Sequence, residues 1–177
     1  MADIWRGIIW RQFGAALEML ENAVRACPEE VWGGRGRRPE FWYLVYHTLF
    51  FLDLYLSGSA EGFAPPAPFT LEELDPAGRR PERPFTKHEL YAYLQHGREK
   101  GRTTINELTD DRAVDVCRFT WGEARFAELI LYNMRHVQHH AAQLNLILRQ
   151  TTDSAPAWVG QATTVQPPEP VQAAVSG

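Results

Sequence analysis

The run Tyr132-Asn-Met-Arg-His136-Val-Gln-His-His140-Ala-Ala-Gln-Leu144 places two histidines four residues apart. On a helix such a pair lies on one face, about 6 Å apart at Cβ, so two ring nitrogens can converge on one cation. His47, far upstream in another helix-like segment, is the candidate for a third imidazole. Three imidazoles leave a tetrahedral ion one position short, the arrangement of sites that keep a place for water or substrate. All-nitrogen ligation suits zinc, nickel or ferrous iron. Residue 137 is Val, so the His-Glu-x-x-His arrangement with its built-in general base is absent.

Four helical segments must position these side chains. The first spans about Ile4 to Cys27, with Ile4, Ile8, Leu17, Leu20 and Val24 near helical spacing. A short turn follows at Pro28–Trp32, then a basic loop with Arg35, Arg37 and Arg38, best read as a solvated turn. The second helix runs from about Pro39 to Ser57 and is apolar nearly all round, as expected for a helix packed on several sides. Gly58 is its C-cap. A Pro- and Gly-rich connection then extends to Pro84, with a helical turn expected at Thr70–Leu74. The third helix starts at a capping box, Thr86 with Glu89 three residues on, and continues to about Leu108, with Gly97 and Gly101 as weak points. Asp110–Thr120 reads as irregular, and no segment makes a convincing strand. The fourth helix is expected from Glu123 to Gln150, its seam made by Ile130, Met134, Val137, Ala141, Leu144 and Leu148. This is an all-α fold, a four-helix bundle over residues 1–152 with a long connection between helices 2 and 3, followed by an extended or disordered tail over 153–177 in which Trp158 is a candidate anchor.

The helical wheel sorts the histidines. With Val137 at zero and about 100° per residue, His140 falls about 60° and His136 about 100° to the same side, flanking the core. His139 falls about 160° away and faces water. Asn133 and Gln143 lie on the same side as the pair and are candidates to hydrogen-bond a ring nitrogen and fix its tautomer. Tyr43, one turn before His47, is the third polar group with that potential. Taken singly, a histidine on an apolar face such as His47 is more often a satisfied core residue than a ligand.

Composition sets further bounds. A chain of 177 residues with 45% hydrophobic and 23% charged residues fits one globular domain. The net charge of −4 argues against nucleic-acid binding. Cys27 and Cys117 lack CxxC spacing and read as small buried hydrophobes, not as a disulfide framework or thiolate site. The apolar stretch Phe41–Leu56 is too short to span a bilayer, and no basic n-region precedes an apolar stretch at the start of the chain. A cytoplasmic protein with no membrane partner is expected. His88 and His96 read as solvated, and Trp5, Trp10, Trp32, Trp42 and Trp121 as core.

The run His136-Val-Gln-His-His140-Ala-Ala-Gln143-Leu144 resembles the C-terminal signature of the DinB-like superfamily, which includes the YfiT-like metalloproteins. Pro28–Trp32 is similar to the stretch after the family's first helix, and Phe41-Trp-Tyr-Leu-Val-Tyr-His47 to its second helix, over roughly residues 1–150 in all. Ala141-Ala142 stands where a basic-then-glycine pair is frequent, and the aromatic crowding around His47 is heavier than in the family pattern. The resemblance implies a bundle with His47, His136 and His140 around one divalent metal. It also implies a metal-dependent enzyme of the thiol-dependent transferase or isomerase type, using a low-molecular-weight thiol on a small-molecule substrate, and pairing into a homodimer. Two other readings stay open. One is metal-hydroxide hydrolysis, for which Tyr43, Asn133 and Gln143 are the only local polar candidates. The other is a non-catalytic metal-binding stress or interaction protein, its open position blocked by Phe50 or Phe51.

Overall fold

The computed structural model describes residues 2–34 and 40–162; the Arg35, Arg37 and Arg38 loop, Pro39 and the tail beyond 162 lie outside the described residues. In chain order the elements are α1 (Ala2–Ala26), α2 (Glu29–Trp32), α3 (Phe41–Ser57), a 3-10 turn (Glu72–Leu74), α4 (Lys87–Asn106), α5 (Asp110–Ala113), β1 (Val116–Phe119), β2 (Gly122–Arg125) and α6 (Phe126–Thr152). The long helices α1, α3, α4 and α6 form a bundle. Both α1 and α3 pack along α4 and α6, so α1 and α3 occupy opposite corners.

The apolar circumference of α3 follows from that placement. Two of its sides meet α4 and α6. A third is covered by the connection 58–86, which inserts Phe63, Phe69 and Phe85 into the core. Phe69 stacks on Tyr93 of α4, ring centroids 4.3 Å apart, and on Tyr46 of α3 at 5.9 Å. Phe63 meets Phe50 edge-on at 5.5 Å. Each buried Phe contributes about 1.5–3 kcal/mol, so this Pro-rich stretch is pinned at three points. Gly58, with φ 78°, ends α3 in the left-handed conformation that a C-cap glycine adopts without strain.

The α4 capping box forms as its residues dictate. Thr86 Oγ1 accepts from the Glu89 N–H at 3.2 Å, and Glu89 Oε2 accepts from the Thr86 N–H at 2.8 Å. Gly97 is an approach point and not a weak one. A Cβ there would lie 2.7 Å from Leu52 Cδ2, so the missing side chain lets α4 close on α3. A similar close approach fixes residues 153–162. They lie on α1, where Arg11 O accepts from the Ala162 N–H at 2.8 Å, and a Cβ on Gly14 would stand 2.6 Å from Ala162 Cβ. Trp158 is 70% exposed, so the attachment rests on backbone and on Ala162 instead of on that ring.

The segment 110–125 departs from the expected irregular stretch. Helix α5 is capped by Thr109, whose hydroxyl accepts from the Arg112 N–H at 3.1 Å. An antiparallel hairpin follows, pairing Val116 with Arg125 and Phe119 with Gly122. Its cause is period-two burial: Cys117 is buried between exposed Val116 and Arg118. Glu123–Arg125, expected in the last helix, are therefore strand. Helix α6 begins at Phe126, whose N–H donates to Asp115 O at 2.9 Å. Two tryptophans also differ from expectation. Trp32 and Trp42 are core, but Trp5 and Trp121 are 60% and 45% exposed.

Candidate metal centre

Because α3 and α6 pack side by side, His47 on one faces His136 and His140 on the other. One ligand atom from each of the three lies within 4.8 Å of the others, and among the described residues no carboxylate, thiolate or fourth imidazole joins this group. His136 Nε2 and His140 Nε2 are 3.1 Å apart. Two nitrogens on one tetrahedral zinc stand about 3.3 Å apart, given Zn–N distances of about 2.0–2.1 Å. The α6 pair is thus already at ligand spacing, and His47, whose ligand atom lies within 4.8 Å of both, needs to close by at most about 1.5 Å.

The protonation pattern fits a cation. His140 Nδ1 is 2.7 Å from Gln143 Oε1, and His47 Nδ1 is 2.7 Å from Glu73 Oε2. Both oxygens accept, so both rings carry their proton on Nδ1 and turn an Nε2 lone pair inward. His136 Nδ1 is buried and has no hydrogen-bond partner. If its proton sits there, a buried donor is orphaned and two Nε2 lone pairs face each other. If the proton sits on Nε2, Nδ1 becomes an orphaned acceptor. A cation between the Nε2 atoms removes the repulsion in the first arrangement. Burial, then the neighbouring His140 and His47, push the His136 pKa down to about 3; burial likewise takes His140 down to about 4. Both rings are therefore neutral near pH 7, the state in which imidazole ligates.

The remaining sequence candidates take distinct places. Gln143 is the partner of His140 Nδ1. Asn133 is fully buried and donates its amide to Leu52 O of α3 at 2.9 Å, so its nitrogen joins two helices and does not meet a ring nitrogen. Tyr43 lies under the Arg80 guanidinium, 3.8 Å from the ring centroid, and its hydroxyl is pushed up to about 12 by burial and by adjacent Glu73. His139 is exposed, as the wheel requires. His88 and His96 are also exposed, although His96 Nε2 comes within 3.5 Å of Asp53 Oδ1. Phe50 points into the core against Tyr46 and Phe63, while Phe51 stands beside the cluster, 4.8 Å from the His47 ring and 5.9 Å from His136.

Sequence reasoning missed two features. Glu73 is one: the turn at 70–74 was legible, but its long-range partner His47 was not. The other is an aromatic wall beside His136. Tyr55 lies 6.0 Å from that ring and meets Tyr132 and Phe119 edge-on, and Trp121 from the hairpin tip stacks on Tyr132 at 4.8 Å. The alternation in Val116–Phe119 was the available signal for the hairpin that brings two of these rings.

A family model for the DinB superfamily matches residues 12–144, and the chain belongs to that superfamily. Among solved structures it is similar to YjoA, a DinB-like protein from Bacillus subtilis, with a TM-score of 0.58 and 16% identity over 86% of this chain and 96% of that one. At that identity the likeness shows the fold. No curated protein matches the chain. Among the described residues no helix is long and apolar enough to cross a membrane.

Proposed function

We propose that this protein binds one divalent metal through His47, His136 and His140 and uses it as a thiol-dependent transferase or isomerase acting on a small molecule. The observation that carries the reading is the convergence of three imidazoles, two of them with Nδ1 engaged by Gln143 or Glu73. When bound, such an ion lowers the pKa of a coordinated thiol or water and stabilises developing negative charge. The chain supplies the rest. Neutral, half-buried imidazoles bind without first losing a proton at pH 7. The His47 side chain is 30% exposed, which leaves an approach from solvent. The rings of Phe51, Tyr55 and Tyr132 exclude water from one side and favour an apolar substrate group there.

Hydrolysis is less well supported, because it needs a base aimed at the reacting oxygen. Glu73, the carboxylate at the cluster, is turned to the far nitrogen of His47. A metal with no catalytic role is favoured only by Phe51, which crowds the cluster from one side.

Elemental analysis of the purified protein beside a His140→Ala variant tests the ligands. About one equivalent per chain in the wild type and near none in the variant is expected; full retention in the variant would refute the assignment. Titrating a small thiol into the cobalt-loaded protein tests the chemistry, and an absorption spectrum that does not respond would sink the thiol reading.

A further inference from the structure

The connection between α3 and α4 brings one carboxylate to the histidine cluster. The turn Leu71-Glu72-Glu73-Leu74 is closed by the Leu74 N–H donating to Leu71 O at 2.9 Å and the Asp75 N–H to Glu72 O at 3.0 Å. Its burial inverts the usual rule. Leu71 and Leu74 are 48% and 37% exposed, whereas the Glu73 side chain is only 4% exposed. Glu73 Oε1 is buried without a hydrogen-bond partner, and Oε2 lies 2.7 Å from His47 Nδ1. Burying a carboxylate is costly unless its charge is met. Tyr43, which lies beside it, brings a neutral hydroxyl. The chain leading into the turn has anchors of its own: Phe69 stacks on Tyr93, and the Tyr46 hydroxyl donates to Thr70 O at 3.4 Å.

We propose that Glu73 is a positioning carboxylate for the metal. It accepts the Nδ1–H of His47, holds that ring in the tautomer whose Nε2 lone pair faces His136 and His140, and sets a buried negative charge behind a cation held by three neutral ligands. This rests on the metal reading above. Glu73 is not itself a ligand, because the two nitrogens of an imidazole point away from each other and the carboxylate holds the outer one. The same contact links the site to the connection, since ordering His47 on the ion orders the turn that carries Glu73.

The test compares zinc affinity, by competition with a chromophoric chelator, in the wild type, Glu73→Gln and His140→Ala. Cobalt absorption spectra and melting of the metal-free proteins are recorded alongside. Glu73→Gln keeps the shape and an acceptor oxygen but removes the charge. It is expected to bind one ion about 10–100-fold more weakly, with an altered cobalt spectrum and little change in metal-free melting. Wild-type affinity with an unchanged spectrum overturns the proposal and leaves the three-histidine site intact. Loss of binding as complete as in His140→Ala also overturns it, by making Glu73 a ligand. A wild type that binds no zinc removes both the site and the proposal. One further readout needs no variant: zinc should slow amide exchange across Leu71–Asp75 in the wild-type protein, and exchange there that is indifferent to zinc overturns the link.

Discussion

Replacing His136 by Leu should make the metal-free protein more stable in acid while abolishing the gain that metal confers. His136 stands against Phe51 and Tyr55, with ring centroids at 5.9 and 6.0 Å, and its Nδ1 is orphaned. Removing a buried unsatisfied polar atom returns about 1–3 kcal/mol, offset by about 1 kcal/mol or more of lost packing. Near pH 7.5 the two proteins should therefore differ little. The difference then grows as pH falls. The folded-state pKa of His136 is depressed from 6.5 to about 3 by burial and by its histidine neighbours. Between those values the unfolded chain binds more protons than the native one, so native stability is complete above about pH 6.5 and declines below it. At pH 4.5 the unfolded histidine is about two pH units below its pKa, which amounts to about 2.7 kcal/mol. Urea denaturation of chelator-treated wild type and variant at pH 7.5 and 4.5 should show the gap widening by about 2–3 kcal/mol in favour of the variant. Saturating zinc should invert the order at neutral pH, by about 4 kcal/mol at a thousandfold excess over Kd. A gap that does not change with pH refutes the claim that His136 is held neutral by its surroundings.

Other consequences are more local. Thr86→Ala removes half of the α4 capping box and should cost about 1 kcal/mol, or about 2–4 °C in melting temperature, with metal content unchanged. Asp53 is 1% exposed, lies 2.5 Å from Lys100 Nζ and accepts from the Tyr93 hydroxyl at 3.1 Å. Asp53→Ala strands that hydroxyl and should cost about 2–4 kcal/mol in denaturant titrations without weakening zinc binding, because the network belongs to the α3–α4 interface. Burial pushes the Cys27 thiol up to about 12 and raises Cys117 as well. Ellman's reagent should therefore find almost no fast-reacting thiol in the native protein and two after unfolding.

What could be read in the sequence was what short-range geometry decides. Thr86 and Glu89 are three residues apart, and the capping box needs nothing else. The wheel separated His136 and His140 from His139 because angular position on one helix is arithmetic. The apolar circumference of α3 announced a helix covered on several sides, yet not what covered it: Phe63, Phe69 and Phe85 reach it from a stretch whose Pro and Gly content reads as loop. Glu123, Ala124 and Arg125 are good helix formers, and pairing with Val116–Phe119 outweighed that propensity. Glu73 and His47 are 26 residues apart, and no periodicity links a turn to the helix face on which it docks. Trp121 looked like core because aromatic residues usually are, but a hairpin tip leaves it half in solvent beside Tyr132.

The unmet polar atoms gather where the ion is expected. Among the described residues, three of the four buried side-chain atoms without partners are His136 Nδ1, Glu73 Oε1 and Asn133 Oδ1; the fourth is Asn145 Oδ1. Asn133 sits one turn before His136, and its amide donates to Leu52 O across the α3–α6 seam. That bond ties the register of α6 to α3, and a shift of one helical residue, about 1.5 Å, would add to the gap that His47 must close. Packing alone would favour apolar residues at such positions, since an unpaired buried polar group costs about 1–3 kcal/mol. A fold that keeps several together sets local stability against the geometry of one site. The metal-free protein should accordingly be weakest along the α3–α6 seam, and zinc should protect that seam from amide exchange more than it protects the packing of α1 against α4.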